Sequence, residues 1–205
     1  MLLLTRKFEV KIKIMYKNEN IVVVKSSKFN LWNGFIEKDL SIIKTIEDQF
    51  EIYPRNLAEE DINFKQIIPY MIFKYKNKIF LMNRGSKPGE KRLADKYSIG
   101  IGGHIILEDT DKKNLLEWGI REFHEEINYT DDFNIKIIGF INDNNSIIGK
   151  VHLGIAILIE GETDNISIKS ELKSGELIEF EALEKYFEKM EYWSQEIYLY
   201  FKKQK

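Results

Sequence analysis

Between Tyr97 and Tyr129 the chain reads YSIGIGGHIILEDTDKKNLLEWGIREFHEEINY, and no other stretch narrows the fold as much. It opens as a short apolar strand pattern, Ile99 and Ile101, interrupted by Gly100, Gly102 and Gly103. Glycines in a strand let other groups approach the backbone closely, at a cost in local order. The stretch ends in a helix signal, Arg121-Glu122-Phe123-His124-Glu125-Glu126. Leu116, Ile120, Phe123 and Ile127 recur at spacings of four, three and four, which is one buried helical stripe. Glu122, Glu125 and Glu126 fall at i, i+3 and i+4, so their carboxylates crowd one patch of the opposite face. Three like charges repel unless something positive sits among them, and hard divalent cations such as Mg²⁺ take carboxylate oxygens. A solvated acidic face is the ordinary alternative, because glutamate is a good helix former. The context argues for the cation. Asn128 follows the helix where a left-handed cap is expected, and the glycine turn directly precedes the loop that feeds the helix.

Together these residues resemble the Nudix box, G-x5-E-x7-REUxEExGU with U a bulky apolar residue. Arg121, Glu122, Phe123, Glu125 and Glu126 match its REUxEE part position by position, and Gly103 fits the opening glycine. Asp109 stands where the family has its first glutamate. Three departures stand out. Asn128 replaces the terminal glycine, Tyr129 ends the box as a large aromatic, and eleven residues rather than seven separate Asp109 from Arg121. An insertion of four is close to one helical turn, so the expected outcome is a helix lengthened at its N-terminal end and capped by Asp109, Thr110 or Asp111.

The resemblance implies a Nudix-type α/β/α sandwich, a mixed curved sheet between helices with the box as loop–helix–loop. It implies hydrolysis of a diphosphate bond in a nucleoside diphosphate linked to another moiety, such as ADP-ribose, a dinucleotide or a sugar nucleotide. Mg²⁺ is the implied cofactor, with Mn²⁺ as its substitute. Its ligands would be Glu122, Glu125, Glu126 and the backbone carbonyl of Gly102. Metal ions there would neutralise phosphate charge, bridge phosphate oxygens and acidify a bound water. The catalytic set is then Glu122, Glu125, Glu126 and Arg121. Arg121 orients the glutamates by pairing with Asp109 or Glu117, and Gly103 and Asp109 hold the shape of the box. The general base stays open among Glu122, Glu160, Glu162 and hydroxide on the metal. Some relatives of this fold isomerise isopentenyl diphosphate with a cysteine, and this chain has none. A nucleotide sensor without catalysis is the other reading in view, and a chance acidic helix is the third.

The remainder of the 205 residues carries less chemistry. With 43% hydrophobic and 31% charged residues a globular chain is expected, as one domain over 1–205. Residues 1–64 read as an N-terminal extension with strands and a helix, and 65–205 as the core with C-terminal helices. A net charge of −2 supplies no basic field for nucleic acid or an anionic membrane. Met1-Leu2-Leu3-Leu4 is too short a run for a signal peptide or a span, so a cytoplasmic protein is expected. The partner is then a small-molecule nucleotide substrate, with room left for a homodimer. Met15 is a second candidate start, which would make residues 1–14 a ragged extension.

Phe8 to Ile14 alternates as a half-buried strand, and Ile21 to Val24 is a second strand. Phe29, Leu31, Trp32, Gly34 and Phe35 form an aromatic turn for which core packing is the ordinary fate. A helix is expected over 38–50 with Leu40, Ile43 and Ile46 or Phe50 inward, broken by Tyr53-Pro54-Arg55. Residues 67–73 and 78–82 form a hairpin signal in which Pro69 marks an edge or a strand start. Arg84, Lys87, Lys91, Arg92 and Lys96 make a basic loop before the glycine turn. Arg84, Arg92 and Lys96 are candidate phosphate contacts, guanidinium being able to bind phosphate bidentately. Strands are expected at 135–141 and 151–159, the second carrying His152, a candidate substrate contact. Another strand and loop follow over 165–180. Amphipathic helices over 181–203 have Leu183, Trp193 and Ile197 available to pack.

Overall fold

The computed structural model describes residues 19–83, 96–112, 114–169 and 174–205. The strand expected at Phe8–Ile14 and most of the basic loop, including Arg84 and Arg92, lie outside them. In chain order the first elements are β1 (Asn20–Lys25), β2 (Gly34–Glu37), α1 (Leu40–Gln49), β3 (Glu51–Pro54) and α2 (Arg55–Ala58). There follow β4 (Phe64–Tyr75), β5 (Lys78–Asn83), β6 (Tyr97–Ser98) and β7 (Ile101–Gly102). The box region supplies α3 (Leu115–Trp118), α4 (Ile120–Glu126) and β8 (Ile127–Asn128). The rest comprises β9 (Phe133–Asn142), β10 (His152–Gly161), β11 (Ser167–Ile168), β12 (Ser174–Glu179) and α5 (Tyr192–Lys203).

β4 is the strand the sheet is built around. Nine successive residues, Lys65 to Phe73, are buried, so both of its faces are covered. One edge runs parallel to β10 from Gln66 opposite His152 to Lys74 opposite Glu160. The other edge is shared: β1 pairs with residues 64–66, β7 with 70–71 and β5 with 74–75. The hairpin expected from 67–82 is therefore closed only at its tip. Pro69 sits inside β4 rather than at an end, in the gap between the β1 and β7 partners, where a missing N–H deprives no ladder.

Ten strands make this mixed sheet, in the order β12-β5-β4-β10-β9-β2 with β1, β3, β6 and β7 attached alongside. Side chains of β10 alternate between its faces. Leu153, Ile155, Ile157 and Ile159 face one core with α1, α3 and α4, through Ile46, Leu115, Trp118 and Phe123. Ala156 and Leu158 face a second core with Leu183 and with Ile197 and Tyr198 of α5. Helices cover both faces, which is the α/β/α sandwich expected. No helix among the described residues is long and apolar enough to cross a membrane.

The segment up to residue 64 is part of the sheet, since β1 bridges β3 to β4 and β2 extends β9. In α1 the buried residues are Ile42 and Ile46, one i,i+4 pair, while Leu40 is exposed. Asp39 explains the difference: its side chain caps Ser41 N–H at 2.7 Å and so fixes where the helix begins. Tyr53 and Pro54 end β3 rather than merely breaking a helix. The aromatic turn packs inward, with Phe29 and Trp32 against the first core and Phe35 on Tyr200. The C-terminal segment combines a ten-residue 3-10 stretch, Phe180–Lys189, with α5.

The insertion does not lengthen the box helix. Residues Leu107–Asp111 make a 3-10 turn, Lys112 is extended, and α3 starts only after Asn114. Asn114 Oδ1 accepts the N–H groups of Leu116 and Glu117 at 3.0 and 3.3 Å, and it takes the cap that Asp109, Thr110 or Asp111 was expected to supply. Asn128 is no left-handed cap either, because Ile127 leaves α4 extended and Asn128 pairs with Ser167 in a short ladder. What seats α3 and α4 is burial. Phe123 has no exposed surface, and truncating such a residue to alanine costs about 3–5 kcal/mol, more than exposed ion pairs worth under about 1 kcal/mol each. Asn114→Ala should lower unfolding free energy by about 1 kcal/mol in urea titrations, whereas Asp111→Ala should leave it unchanged.

Candidate active site

Gly102 ends β7 where it lies on β4, and Gly103 follows it. A Cβ on Gly102 would sit 2.7 Å from the Pro69 carbonyl oxygen, and one on Gly103 would fall inside the Glu122 carboxylate. The glycine turn therefore meets the first turn of α4 directly, because the box strand has no side chain there.

Arg121 gathers the surrounding acids. Its Nε donates to Asp109 Oδ1 at 3.0 Å and its Nη2 to Asp109 Oδ2 at 3.0 Å, a bidentate pair. Nη2 also donates to the His104 carbonyl at 2.9 Å and lies 2.9 Å from Glu122 Oε1, while Nη1 reaches Glu125 Oε2 at 3.0 Å. Asp109 additionally accepts the Ile106 N–H, which folds the insertion back onto the helix. Burial works against the guanidinium's charge, but Asp109, Glu122 and Glu125 outweigh it and raise the Arg121 pKa further. Of the two partners proposed for Arg121, Asp109 is the one it touches. Glu117 instead accepts from the Asn114 amide.

Glu122 is the acid under most strain. Burial raises its pKa above 4.5, Arg121 opposes that, and Glu125 and Glu126 add to it. Glu126 holds β11's end through its carbonyl, which accepts the Lys169 N–H at 2.8 Å. The donor set is three glutamate side chains on two turns, and three carboxylates, those of Asp109, Glu122 and Glu125, surround one guanidinium. Oxygen-only donors with surplus negative charge fit a hard divalent cation of the Mg²⁺ class.

The other candidates come from other elements. Lys96 is exposed just before β6. His152 opens β10 beside His104, the ring centroids 5.8 Å apart, and its Nδ1 donates to the Ile148 carbonyl at 2.8 Å. Lys65 fixes the same corner, donating to the carbonyls of Gly149 and His152 at 3.0 and 3.4 Å. Burial brings the Lys65 pKa down to about 8, against the pull of Asp143. Glu160 is bridged to Lys136 at 3.0 Å and Lys74 at 3.4 Å, and its hydrogen bond from Lys136 leads in lowering its pKa. Two residues that the sequence analysis passed over stand beside His152. His104 follows Gly103 directly, and Glu59 follows α2. Burial first, then Arg55 and His152, push the His104 imidazole well below its ordinary pKa. The available signal was scarcity, since the whole chain has only three histidines.

A glycine turn set on an REFHEE helix inside an α/β/α sandwich is the arrangement expected of the Nudix superfamily, and the chain belongs to it. Among its kin is protein YmaB of Bacillus subtilis (strain 168), 34% identical over 164 residues, which span 75% of this chain and 79% of YmaB. The crystal structure of Tm1382, a protein assigned to the Nudix hydrolases, superposes with a TM-score of 0.73 at 26% identity. It covers 91% of this chain and 100% of Tm1382. No protein-family model matches the chain.

Two outcomes follow from this geometry. Gly103→Ala should cut turnover while leaving the fold in place, because only the mobile end of Glu122 must move aside; paired activity and thermal-melt measurements check this. Glu122 has a folded pKa raised above its unfolded value of about 4.5, so its contribution to stability is present below that pH and lost as pH rises. In EDTA, Glu122→Gln should therefore match wild type near about pH 4 and melt higher at about pH 7. A lower melting point at neutral pH would contradict it.

Proposed function

We propose that this protein cleaves a diphosphate bond in a nucleoside diphosphate linked to another moiety, with ADP-ribose, dinucleotides and sugar nucleotides as the substrate class and nucleoside triphosphates next. The observation carrying this reading is the packing of Gly103 against Glu122, with Glu122 and Glu125 gathered on Arg121 in the same helix. Glu122, Glu125, Glu126 and the Gly102 carbonyl would hold Mg²⁺ or Mn²⁺. Such a cation offsets phosphate charge and lowers the barrier to attack by water.

The chain's own groups do the rest. Asp109 anchors Arg121, and Arg121 keeps Glu122 and Glu125 on one side of the helix. Gly103 lets Glu122 reach the glycine turn. Preorganised charge of this kind is the main lever in phosphoryl chemistry. Lys96 belongs to a basic approach to the site, and the chain acts as one domain. A binding-only nucleotide sensor has one observation in its favour. Glu122 and Glu125 are turned onto Arg121, and the three glutamate carboxylates do not converge within 4.8 Å of one another.

A panel of ADP-ribose, a dinucleotide, a sugar nucleotide and nucleoside triphosphates, with Mg²⁺ or Mn²⁺ and phosphate-coupled detection, separates these readings. Turnover that stops in EDTA is expected, and tight metal-dependent binding without turnover would leave the sensor. Glu125→Gln and Glu126→Gln should each reduce turnover by about 10²-fold or more with the fold retained. Near wild-type activity at saturating Mg²⁺ in either variant would remove that glutamate from the metal site.

A further inference from the structure

Beyond the box glutamates, two of the chain's three histidines meet. The rings of His104 and His152 lie 5.8 Å apart between centroids. Glu59 brings its carboxylate to them, so that one ligand-capable atom from each residue lies within 4.8 Å of the other two. No other three histidine or acidic side chains among the described residues converge in this way. We propose that Glu59, His104 and His152 bind one divalent transition-metal ion of the Zn²⁺ class, at a site separate from the hard-cation site of the box.

The hydrogen bonds around the imidazoles prepare them as ligands. The Ile148 carbonyl can only accept, so His152 carries its proton on Nδ1 and its lone pair on Nε2. His104 Nε2 lies 2.7 Å from Gln66 Oε1, an acceptor, which places the proton on Nε2 and the lone pair on Nδ1. A metal-bound histidine usually donates its other N–H to just such an oxygen, which fixes both tautomer and ring orientation. Gln66 gives a second, independent sign. It is fully buried beside His152 in the β4–β10 register, and its Nε2 has no hydrogen-bond partner. An unused buried donor is costly, and a water or anion completing the coordination of an ion would use it.

Donor type narrows the ion. The cations at this corner are Arg55, already engaged by Glu19 at 2.6 Å and Glu59 at 3.5 Å, and Lys65, which donates to the Gly149 and His152 carbonyls. Two imidazoles and one carboxylate, with no thiol anywhere in the chain, suit Zn²⁺ or Co²⁺ better than Mg²⁺. The ion would join α2 to the loop that leaves Gly103, and so tie the N-terminal strands to the box.

The test is calorimetric titration of the full chain with Zn²⁺ in excess Mg²⁺, paired with Co²⁺ absorption spectra. One Zn²⁺ per chain is expected, competing with Co²⁺ whose visible bands report nitrogen ligands. Glu59→Gln, at an exposed position, should weaken Zn²⁺ at least about tenfold, as losing an oxygen partner does. His104→Gln and His152→Gln should abolish binding, while Glu125→Gln should retain it. Circular dichroism melts show which variants fold, and Glu59→Gln decides the matter if a buried histidine variant does not. Failure of wild type to bind Zn²⁺ beside Mg²⁺, binding undiminished in every folded Glu59 or histidine variant, or loss of the ion with Glu125→Gln would each overturn the proposal.

Discussion

One guanidinium holds the acidic site together. Arg121 touches the insertion through Asp109, the glycine turn through the His104 carbonyl, and the helix's own acids through Glu122 and Glu125. These contacts are unequal. The Asp109 side chain is 7% exposed and that of Glu125 57%, so water screens the second pair and leaves the first to act as the anchor. Breaking a buried pair strands the surviving charge, a loss on the order of 3–5 kcal/mol, whereas an exposed pair contributes under about 1 kcal/mol. Asp109 is thus fixed in place while Glu125 can exchange its partner. An acid that must release an arginine to take a cation is better placed on the exposed side of such a pair.

The box was legible because its residues interact locally. Gly102 to Glu126 spans 25 residues, and spacing alone puts Arg121, Glu122, Glu125 and Glu126 on neighbouring turns. The family resemblance named the sandwich, and the apolar run over residues 151–159 was enough to mark a strand there. What failed to show was the consequence of competition between local signals. Asn114 out-competed Asp109, Thr110 and Asp111 because its amide both accepts two backbone N–H groups and donates to Glu117. Pro69 looked like a strand end, and only the sharing of the β4 edge among three partners shows why it is tolerated mid-strand. The Glu59, His104 and His152 cluster was invisible for a plainer reason. Its members follow α2, follow β7 and open β10, and they meet because β7 and β10 lie on opposite edges of β4 while β1 carries α2 to the same corner, contacts over a range that no spacing rule encodes.

The N-terminal segment gains a purpose from this arrangement. β1 and β3 complete the sheet, and α2 turns the chain so that Arg55 and Glu59 arrive at the corner where β4 and β10 begin. Glycine at 103 and histidine at 104 then face different neighbours. One makes room for a box glutamate, and the next points toward the sheet corner, so a single peptide unit separates two chemically distinct donor sets.

The way β4 divides its edges also bears on how the chain comes into being. Its outer partners, β1 and β5, leave the ribosome within a few dozen residues of it, but Gln66 waits for His152, 86 residues later. At a synthesis rate of about 5–20 residues per second, that delay is roughly 4–17 seconds. For that interval the apolar run Ile67 to Phe73 has one edge unpaired, the form of strand most open to adding a foreign partner. The missing N–H of Pro69 falls on the opposite edge, in the gap between β1 and β7. No strand fills that gap in the finished sheet, so the absent donor there leaves one point fewer at which a foreign strand could join.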